Sequence, residues 1–336
     1  MSAIQQLMAG FGASAPLVVS EVFSATTYTG TGVAFDVVNG IDLAEKGGMV
    51  WDKSTDDLDK PNHRIFDTQR GNYALVPNST AAQYGESRSY TSNGYNVTSA
   101  YESNTPGKKY ISWTFRKAPG FFDVVTYTGG GSVSDVVAHS LGATPGLIIS
   151  KRTDVAGSWG VNYLVGDVGS GGFIGYSLES TAAQRDTGNS ISGRVTSTNF
   201  QPGYLATAGS SSNDLNTAGG SYVAYIFAHD TGADGVIQCG KYTGNGSATG
   251  PAVTLGWEPQ FLIVKHSTGT GDWVMYDSAR DATNPRTAVL LANSTATEST
   301  TGPDIDFTAT GFQVKSTSGN VNTSGSTYIY VAIRKP

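Results

Sequence analysis

Side chains that commonly do chemistry are scattered in this sequence, and they form no catalytic pattern. No two of the histidines have the i, i+4 spacing of a zinc-binding pair; they are His63, His139, His229 and His266. No Gly-x-Ser-x-Gly nucleophile elbow occurs, and the glycine-rich segment 244–250 lacks the lysine of a phosphate-binding loop. We therefore expect that the protein is not an enzyme, and that it has no catalytic residue, no metal and no cofactor.

The glutamates leave one catalytic alternative open. A glycoside hydrolase needs two carboxylates beside the scissile bond, and folding can bring distant ones together. The candidates are dispersed along the chain at Glu21, Glu45, Glu86, Glu102, Glu179, Glu258 and Glu298. A polysaccharide depolymerase therefore remains an alternative, which a cleft with paired carboxylates would support.

Two further acidic motifs are candidate ligand sites. Asp52, Asp56, Asp57 and Asp59 are clustered, but the glycine and the final glutamate of an EF-hand loop are missing, so we expect a solvated acidic loop and leave Ca²⁺ binding open. The second motif places Asp three residues before Arg, as Asp67 with Arg70 and as Asp277 with Arg280. We interpret it as an ion pair that locks a turn, with Asp capping backbone N–H groups.

The strands and turns that would position these side chains are marked by four sequence motifs. The four motifs recur three times along the chain, in the same order each time. Tyr-Thr-Gly occurs at 28–30, 127–129 and 242–244. An apolar strand ending in lysine follows at 49–53, 147–151 and 261–265, with the lysine 23 to 25 positions after the tyrosine. A polar block comes next at 78–83, 179–184 and 293–298, and an apolar strand closes each unit at 110–115, 222–227 and 328–333. The chain therefore reads as three copies of one unit.

Units of this length predict a small domain each. A repeat of roughly 100–115 residues is too long for a solenoid unit or a propeller blade, and short strands separated by turns are typical of a sandwich. We predict an all-β protein of three tandem antiparallel β-sandwich domains, jelly-roll-like in character. The boundaries are an N-terminal arm at 1–24, a first repeat at 25–119, a second repeat at 120–231 and a third repeat at 232–336.

The repeats also predict which strand residues are equivalent. The closing strand Tyr110–Phe115 alternates large and small side chains, which predicts a half-buried strand. We expect Val50, Ile148 and Ile263 to be aligned core residues. We expect Trp113, Tyr225 and Val331 to occupy equivalent positions on the closing strands.

Composition and charge limit the function. The net charge of −6 and the pI near 5.2 disfavour a nucleic-acid partner, and no run of about 20 apolar residues could cross a bilayer. The lone Cys239 excludes an intramolecular disulfide and is expected to be buried in a strand. In the arm, the apolar residues Ile4, Leu7, Met8 and Phe11 have helix-like spacing, so we predict a segment for attachment or oligomerisation and a symmetric homo-oligomer, a trimer. The alternative is an ordered arm that packs on the first domain.

The junction between the first two repeats carries a family resemblance. The segment from Trp113 through Pro119, Phe121 and Phe122 to Gly129 resembles a repeat in tail-fibre-like and other virion structural proteins of tailed bacteriophages, marine ones especially. Segments 39–43, 66–71 and 222–230 share the resemblance. It implies a virion protein built of β-sandwich repeats and assembled in the host cytoplasm, with other virion proteins as partners.

The function hypotheses follow from that resemblance. The first is a tail-fibre or adhesin-like protein that binds a receptor or glycan on the host surface; the alternative is an architectural decoration of capsid or tail. The second repeat is longer within 185–220, and binding residues gather in surface loops. We therefore predict that a ligand contacts this loop, with the candidate residues Asn199, Tyr204, Asn213 and Asp214. The alternative is a solvated Gly/Ser loop with no partner.

Overall fold

The strands of the first repeat follow a short entry helix. A computed structural model describes residues 16–59, 61–98, 102–165, 174–186, 193–205, 207 and 214–336. The helix α1 (Val19–Val22) leads into β1 (Phe23–Thr29), β2 (Phe35–Val38), β3 (Gly48–Ser54), β4 (His63–Asp67), β5 (Tyr73–Ala74), β6 (Tyr84–Gly85), β7 (Tyr90–Thr91), β8 (Gly94–Val97) and β9 (Lys109–Arg116). The arm residues Ile4, Leu7, Met8 and Phe11 lie outside the described residues.

The second and third repeats are also built of strands. The second contains β10 (Phe122–Thr128), β11 (Val137–Ala138), β12 (Pro145–Arg152), β13 (Trp159–Tyr163), β14 (Ile174–Ser177), β15 (Arg185–Asp186), β16 (Asn199–Phe200), a 3₁₀ turn at Pro202–Tyr204 and β17 (Ser221–Ala228). The third contains β18 (Ile237–Thr243), β19 (Ala252–Thr254), β20 (Pro259–His266), β21 (Trp273–Asp277), β22 (Leu290–Leu291), β23 (Ile305–Thr308), β24 (Gly311–Val314), the helix α2 (Gly319–Asn322) and β25 (Thr327–Arg334). The predicted all-β class is confirmed.

One strand order recurs in the largest sheet of every repeat, which we call the main sheet. The opening strand pairs with the closing strand, the closing strand with the lysine-ended strand, and that strand with its successor, all antiparallel. The orders are β1-β9-β3-β4, β10-β17-β12-β13 and β18-β25-β20-β21, with β14, β15 and β22 added at the edges. The closing strand is therefore central in each main sheet, although it comes last in sequence.

A smaller sheet covers the outer face of each main sheet. The small sheets are β2-β8-β7 in the first repeat, β11-β16 in the second and β19-β24-β23 in the third. In the first repeat, Val50 on the main sheet packs with Val37, Tyr95 and Val97 on the small one. These layers form the sandwich cores, and each buried side chain of this size contributes roughly 1.5–3 kcal/mol.

The inner faces of the three main sheets share one central core. Phe115 of the first repeat lies 5.6 Å from Phe227 of the second and 6.2 Å from Phe261 of the third, measured between ring centroids. A cavity of about 30 Å³ there is lined by apolar side chains of all three repeats, including Ile149 and Val331. The strand at Tyr110–Phe115 is consequently buried on both faces, so the half-buried prediction was wrong.

The register fixes which strand positions correspond. Trp113, Tyr225 and Val331 lie opposite Trp51, Ile149 and Ile263 respectively, which confirms the predicted closing-strand equivalence. Val50, Ile148 and Ile263 are all buried, as predicted. The equivalent of Val50 in the third repeat is nevertheless Leu262, because Ile263 lies one residue further along and faces the central core.

The recurring Tyr-Thr-Gly has a packing cause at each opening strand. Tyr28, Tyr127 and Tyr242 stack on the closing-strand tyrosines at 5.0–5.1 Å. A Cβ added to the motif's glycine at position 129 would lie 2.3 Å from the carbonyl oxygen of Thr217. Only glycine therefore fits where the opening strand passes the loop before the closing strand.

No helix among the described residues has the length and apolar character needed to cross a membrane.

Candidate functional site

Three buried lysines join the repeats into a closed ring. Each Nζ donates to the carbonyl oxygen of a threonine in another repeat's polar block: Lys53 to Thr295 at 3.4 Å, Lys151 to Thr80 at 3.2 Å and Lys265 to Thr181 at 3.2 Å. The first repeat thereby contacts the third, the second contacts the first and the third contacts the second. Two of the motifs that recur in the sequence thus meet at every junction.

The surroundings of the three lysines lower their affinity for protons, but the ammonium groups keep their charge at neutral pH. Burial lowers the pKa of Lys53, Lys151 and Lys265 to about 8. Because that value stays above 7, each ammonium remains largely charged and keeps donating to backbone carbonyls. A second carbonyl is within reach of each, such as that of Pro61 for Lys53, at 2.5 Å.

Backbone hydrogen bonds reinforce each lysine contact. The last residue of each polar block donates its N–H to the carbonyl two residues beyond a lysine: Gln83 to Thr153 at 3.0 Å, Gln184 to Ser267 at 2.8 Å and Glu298 to Thr55 at 2.9 Å. The three junctions therefore share the same backbone hydrogen bond and differ in the side chains around it.

Asp–Arg turns make a second set of contacts between repeats. Asp67 accepts the N–H groups of Gln69 and Arg70, and its carboxylate is 2.6 Å from Arg70 Nε. These bonds confirm the interpretation of a turn-locking ion pair. The oxygen that contacts Arg70, Asp67 Oδ2, also accepts the hydroxyl of Tyr225 from the second repeat at 2.8 Å.

The corresponding turn in the third repeat contacts the first repeat. Asp277 pairs with Arg280 at 2.6 Å, and the indole N–H of Trp113 donates to Asp277 at 3.2 Å. In the second repeat, Tyr163 stands where the other two have this aspartate. The closing-strand residue that faces this position is Val331 of the third repeat, at the place equivalent to Tyr225 and Trp113. It has no polar side-chain atom, so the second–third junction lacks both the Asp–Arg pair and the side chain that would donate to it.

Beside Lys53, the tryptophan lies on a different strand from its counterparts in the other two repeats. The second and third repeats have Trp159 and Trp273 opposite their lysines, and both indole N–H groups donate to carbonyls of the preceding repeat. In the first repeat this position is His63, and the indole belongs to Trp51. Trp51 donates to His63 Nδ1 at 3.0 Å, so His63 carries its proton on Nε2 and donates to Leu291 of the third repeat at 3.0 Å.

A polar cleft lies at every junction, beside the far ends of the opening strands. The third–first cleft is about 390 Å³ and is lined by Thr27, Thr29, Thr55, Lys109, Arg280 and Glu298. The first–second cleft is about 440 Å³ and is lined by Arg70, Tyr73, Gln83, Thr126, Thr128 and Ser221. The second–third cleft is about 210 Å³ and is lined by Gln184, Lys241, Ser267, Thr268, Thr327 and Ile329. These three clefts are our candidate binding sites.

The loop residues predicted to bind a ligand occupy different parts of the second repeat. Asn199 lies on the small sheet, paired with Ala138. Tyr204 ends the 3₁₀ turn, with the guanidinium of Arg194 3.5 Å from its ring centroid. Asp214 is exposed and its carbonyl accepts the hydroxyl of Tyr222 at 3.0 Å, while Asn213 lies outside the described residues. Their role in binding stays a prediction.

The acidic segment of the first repeat is not the solvated loop that we expected. Asp56 and Asp59 are exposed, but Asp52 and Asp57 are buried. Asp52 lies on β3, faces the sandwich interior and pairs with Arg88 at 2.8 Å. Among the described residues, no group of three or more His, Cys, Asp or Glu side chains is placed to hold a metal ion.

Two of the scattered glutamates come together on one arginine. Arg64 forms ion pairs with Glu86 and Glu102, and it also donates to the hydroxyl of Tyr84 at 2.9 Å. Burial raises the pKa of Glu86, and the charge of Arg64 opposes that shift. Because a guanidinium holds both carboxylates, the arrangement has the character of an ion network in which Arg64 and Glu86 are buried and Glu102 is partly exposed.

Sequence reasoning missed one recurring residue. Asn104, Asn216 and Asn322 are buried, and each accepts backbone N–H groups just after a Tyr-Thr-Gly motif, such as that of Asn245 at 2.7 Å. Each is followed by threonine and precedes the closing-strand tyrosine by six residues. That constant spacing was the available signal.

The fold and these junctions define an all-β protein whose repeats close into a ring. The chain belongs to a family described as a domain of unknown function (DUF7483), which matches residues 19–336. The match begins at the helix α1 and therefore includes all three repeats. No curated protein matches the chain.

Proposed function

We propose that this protein is a structural component of a tailed-bacteriophage virion that attaches to a receptor or glycan on the host surface. The sequence at the junction of the first two repeats supports the phage context through its resemblance to tail-fibre-like proteins. The single structural observation that carries the attachment role is the ring of three polar clefts, held by buried lysines and Asp–Arg turns.

The ring suits attachment because its clefts are preorganised. Their walls come from adjacent repeats that are joined by backbone hydrogen bonds and, at two of the junctions, by a buried side-chain hydrogen bond to the aspartate of an Asp–Arg turn, so little ordering is required when a ligand binds. Threonine and serine hydroxyls, amides and arginines are groups that fix the orientation of a hydroxyl-bearing ligand.

The opening strand β1 places the chain entry and the third–first cleft at opposite ends, which allows one end to dock and the other to bind a ligand. The chain enters through α1, whose Val19 and Val22 pack in the central core next to Phe23 at the start of β1. The third–first cleft is lined by Thr27 and Thr29 at the other end of that strand, roughly 20 Å away. We propose that the part of the arm at 1–24 that precedes α1 docks on other virion proteins while the clefts face outward, with a homotrimer as the assembly.

The test uses the intact chain and the phage that encodes it. Purified protein is expected to bind host cells, to be displaced by the phage and to reduce phage adsorption in proportion to the cell sites occupied. Antibodies against the protein should label intact virions in electron micrographs. Labelled virions with no cell binding would favour the architectural role of a capsid or tail decoration, and unlabelled virions would remove the virion assignment.

A further inference from the structure

One exposed aromatic side chain distinguishes the first–second cleft from the third–first cleft. Tyr73 lines it with 43% of its surface exposed. It lies two residues before Leu75, which pairs with Ile65 beside β4. Two residues before Leu290, the counterpart of Leu75 in the strand pairing of the third repeat, lies Ala288, which is buried and has no ring. The two clefts therefore share an Asp–Arg turn but differ in an aromatic surface.

The backbone holds Tyr73 in place before any ligand arrives. Tyr73 pairs with Gly85 across the short β5–β6 sheet. Two residues on, Leu75 exchanges hydrogen bonds with Ile65 of the main sheet at 2.8 and 3.0 Å. An aromatic ring fixed by strand pairing loses little conformational freedom on binding, since only two side-chain torsions remain.

The charge lining the first–second cleft is balanced. Arg70 is the charged residue among those that line it, and the carboxylate of Asp67 lies 2.6 Å from its Nε. The third–first cleft instead contains Lys109, Arg280 and Glu298. An anionic ligand therefore finds little uncompensated positive charge beside Tyr73.

Apart from Arg70, the polar groups around Tyr73 are uncharged and can form hydrogen bonds. Thr126, Thr128 and Ser221 are exposed on the opposite wall, and the amide of Gln83 completes that set beside Arg70. The volume of about 440 Å³ falls within the roughly 300–1,000 Å³ of small-ligand sites. An aromatic face with hydroxyl and amide groups around it matches a sugar ring, which has an apolar C–H face and hydroxyls at its edge.

We infer that the first–second cleft binds a neutral sugar unit of a glycan, with Tyr73 as the stacking surface and the hydroxyls of Thr126, Thr128 and Ser221 as hydrogen-bonding partners. The inference rests on the proposed attachment function and names the ligand class and the site. Neither the enlarged loop at 185–220 nor the arginine-bound glutamates take part in it.

The experiment compares matched variants of the full chain on an array of neutral hexose oligosaccharides and uronic acid-containing ones. Wild type is expected to bind at least one neutral oligosaccharide. Tyr73→Ala should weaken that binding roughly fivefold or more through loss of the aromatic contact, whereas Tyr73→Phe should retain it. Thr283→Ala, in the exposed loop after Asp277 of the third repeat, should leave binding unchanged, and thermal melting should show that all variants fold.

The outcomes separate this inference from the function on which it rests. Binding that survives Tyr73→Ala, or that is restricted to acidic oligosaccharides, overturns the site or the ligand class. Host-cell binding by wild type with no oligosaccharide bound overturns this inference and leaves the attachment function intact. Oligosaccharide binding that depends on Tyr73, together with no binding to host cells, supports the site and contradicts the host-attachment function.

Discussion

Single residues hold the ring together, and the buried lysines are the clearest case. A lysine in an unfolded chain has a pKa near 10.4, whereas burial lowers the pKa of Lys151 to about 8. Between those two values the unfolded state binds more protons than the folded state. Stability contributed by this group therefore rises as the pH rises from about 8 to about 10.

The first prediction follows from that sign. Relative to a Lys151→Met variant, the wild-type unfolding free energy should rise by up to about 1.4 kcal/mol per pH unit between pH 8 and pH 10. Urea unfolding of both proteins at each pH measures the difference. Burial also raises the pKa of Cys239, an effect of opposite sign, but it is common to both proteins and cancels. A pH-independent difference would contradict the prediction.

The second prediction concerns the Asp–Arg turns. Arg70→Met removes the partner of the buried carboxylate of Asp67 and should cost about 3–5 kcal/mol of unfolding free energy. Arg152→Met is the matched control, since the ion pair of Arg152 with Asp154 is partly exposed and should be worth about 1 kcal/mol or less. Chemical denaturation measures both, and equal losses would show that burial of the pair is unimportant.

At the scale of elements, the exchange between β3 and β4 of the first repeat can be reversed. Trp51→Ile alone should cost about 3–5 kcal/mol because it leaves a hole in the central core. Adding His63→Trp recreates the pattern of Ile149 with Trp159 and should recover at least half of that loss. Thermal and urea unfolding measure the recovery, and a double variant no more stable than the single one would contradict the equivalence of these strands.

The same pair of variants tests a pH effect. Burial lowers the pKa of His63 well below its usual range, so the folded state holds this imidazole neutral. The unfolded state binds a proton below about pH 6.5, and stability is therefore lost as the pH falls through that value. His63→Trp in the Trp51→Ile background should lose this component, and acid titration of unfolding would detect it.

The strands could be predicted from the sequence, but their surroundings could not. The apolar run ending at Lys53 and the motif Tyr-Thr-Gly located the lysine-ended and opening strands in every repeat. The burial of the closing strand on both faces was missed. Its second face is covered by the other repeats, and the alternation of large and small side chains indicates burial of one face only. The same cause hid the clefts: Arg70 and Thr126 are far apart in sequence and meet only when the first repeat packs against the second.

At the scale of the whole molecule, closure of the ring predicts how the chain tolerates being cut. Phe23, which starts the first main sheet, lies 5.7 Å from Phe261 of the third, beside the end of β25. A short glycine–serine linker from Pro336 to Leu17, with new ends within the exposed turn 231–234, should therefore give a folded protein. A single cooperative thermal transition close to that of residues 17–336 is the expected result, and failure to fold would contradict closure.

Removing a repeat should have the opposite result. A fragment of residues 17–231 lacks Phe261, Ile263 and Val331, so the central core is left open to water. We expect this fragment to aggregate or to bind a hydrophobic dye strongly, while the permuted full ring does not. Independent folding of the fragment, with a melting temperature near that of the full ring, would show that the sandwiches do not depend on the shared core.

Fusion of the three units into one polypeptide also has a genetic consequence. In a ring made of three identical chains, any substitution appears three times, and a change that suits one junction is imposed on the others. Here each junction is encoded separately, so the second repeat could exchange its aspartate for Tyr163 while its counterpart became Val331. The same freedom allows the exposed ring of Tyr73 to stand where the third repeat has Ala288, which lets a nearly symmetric scaffold evolve a specialised face.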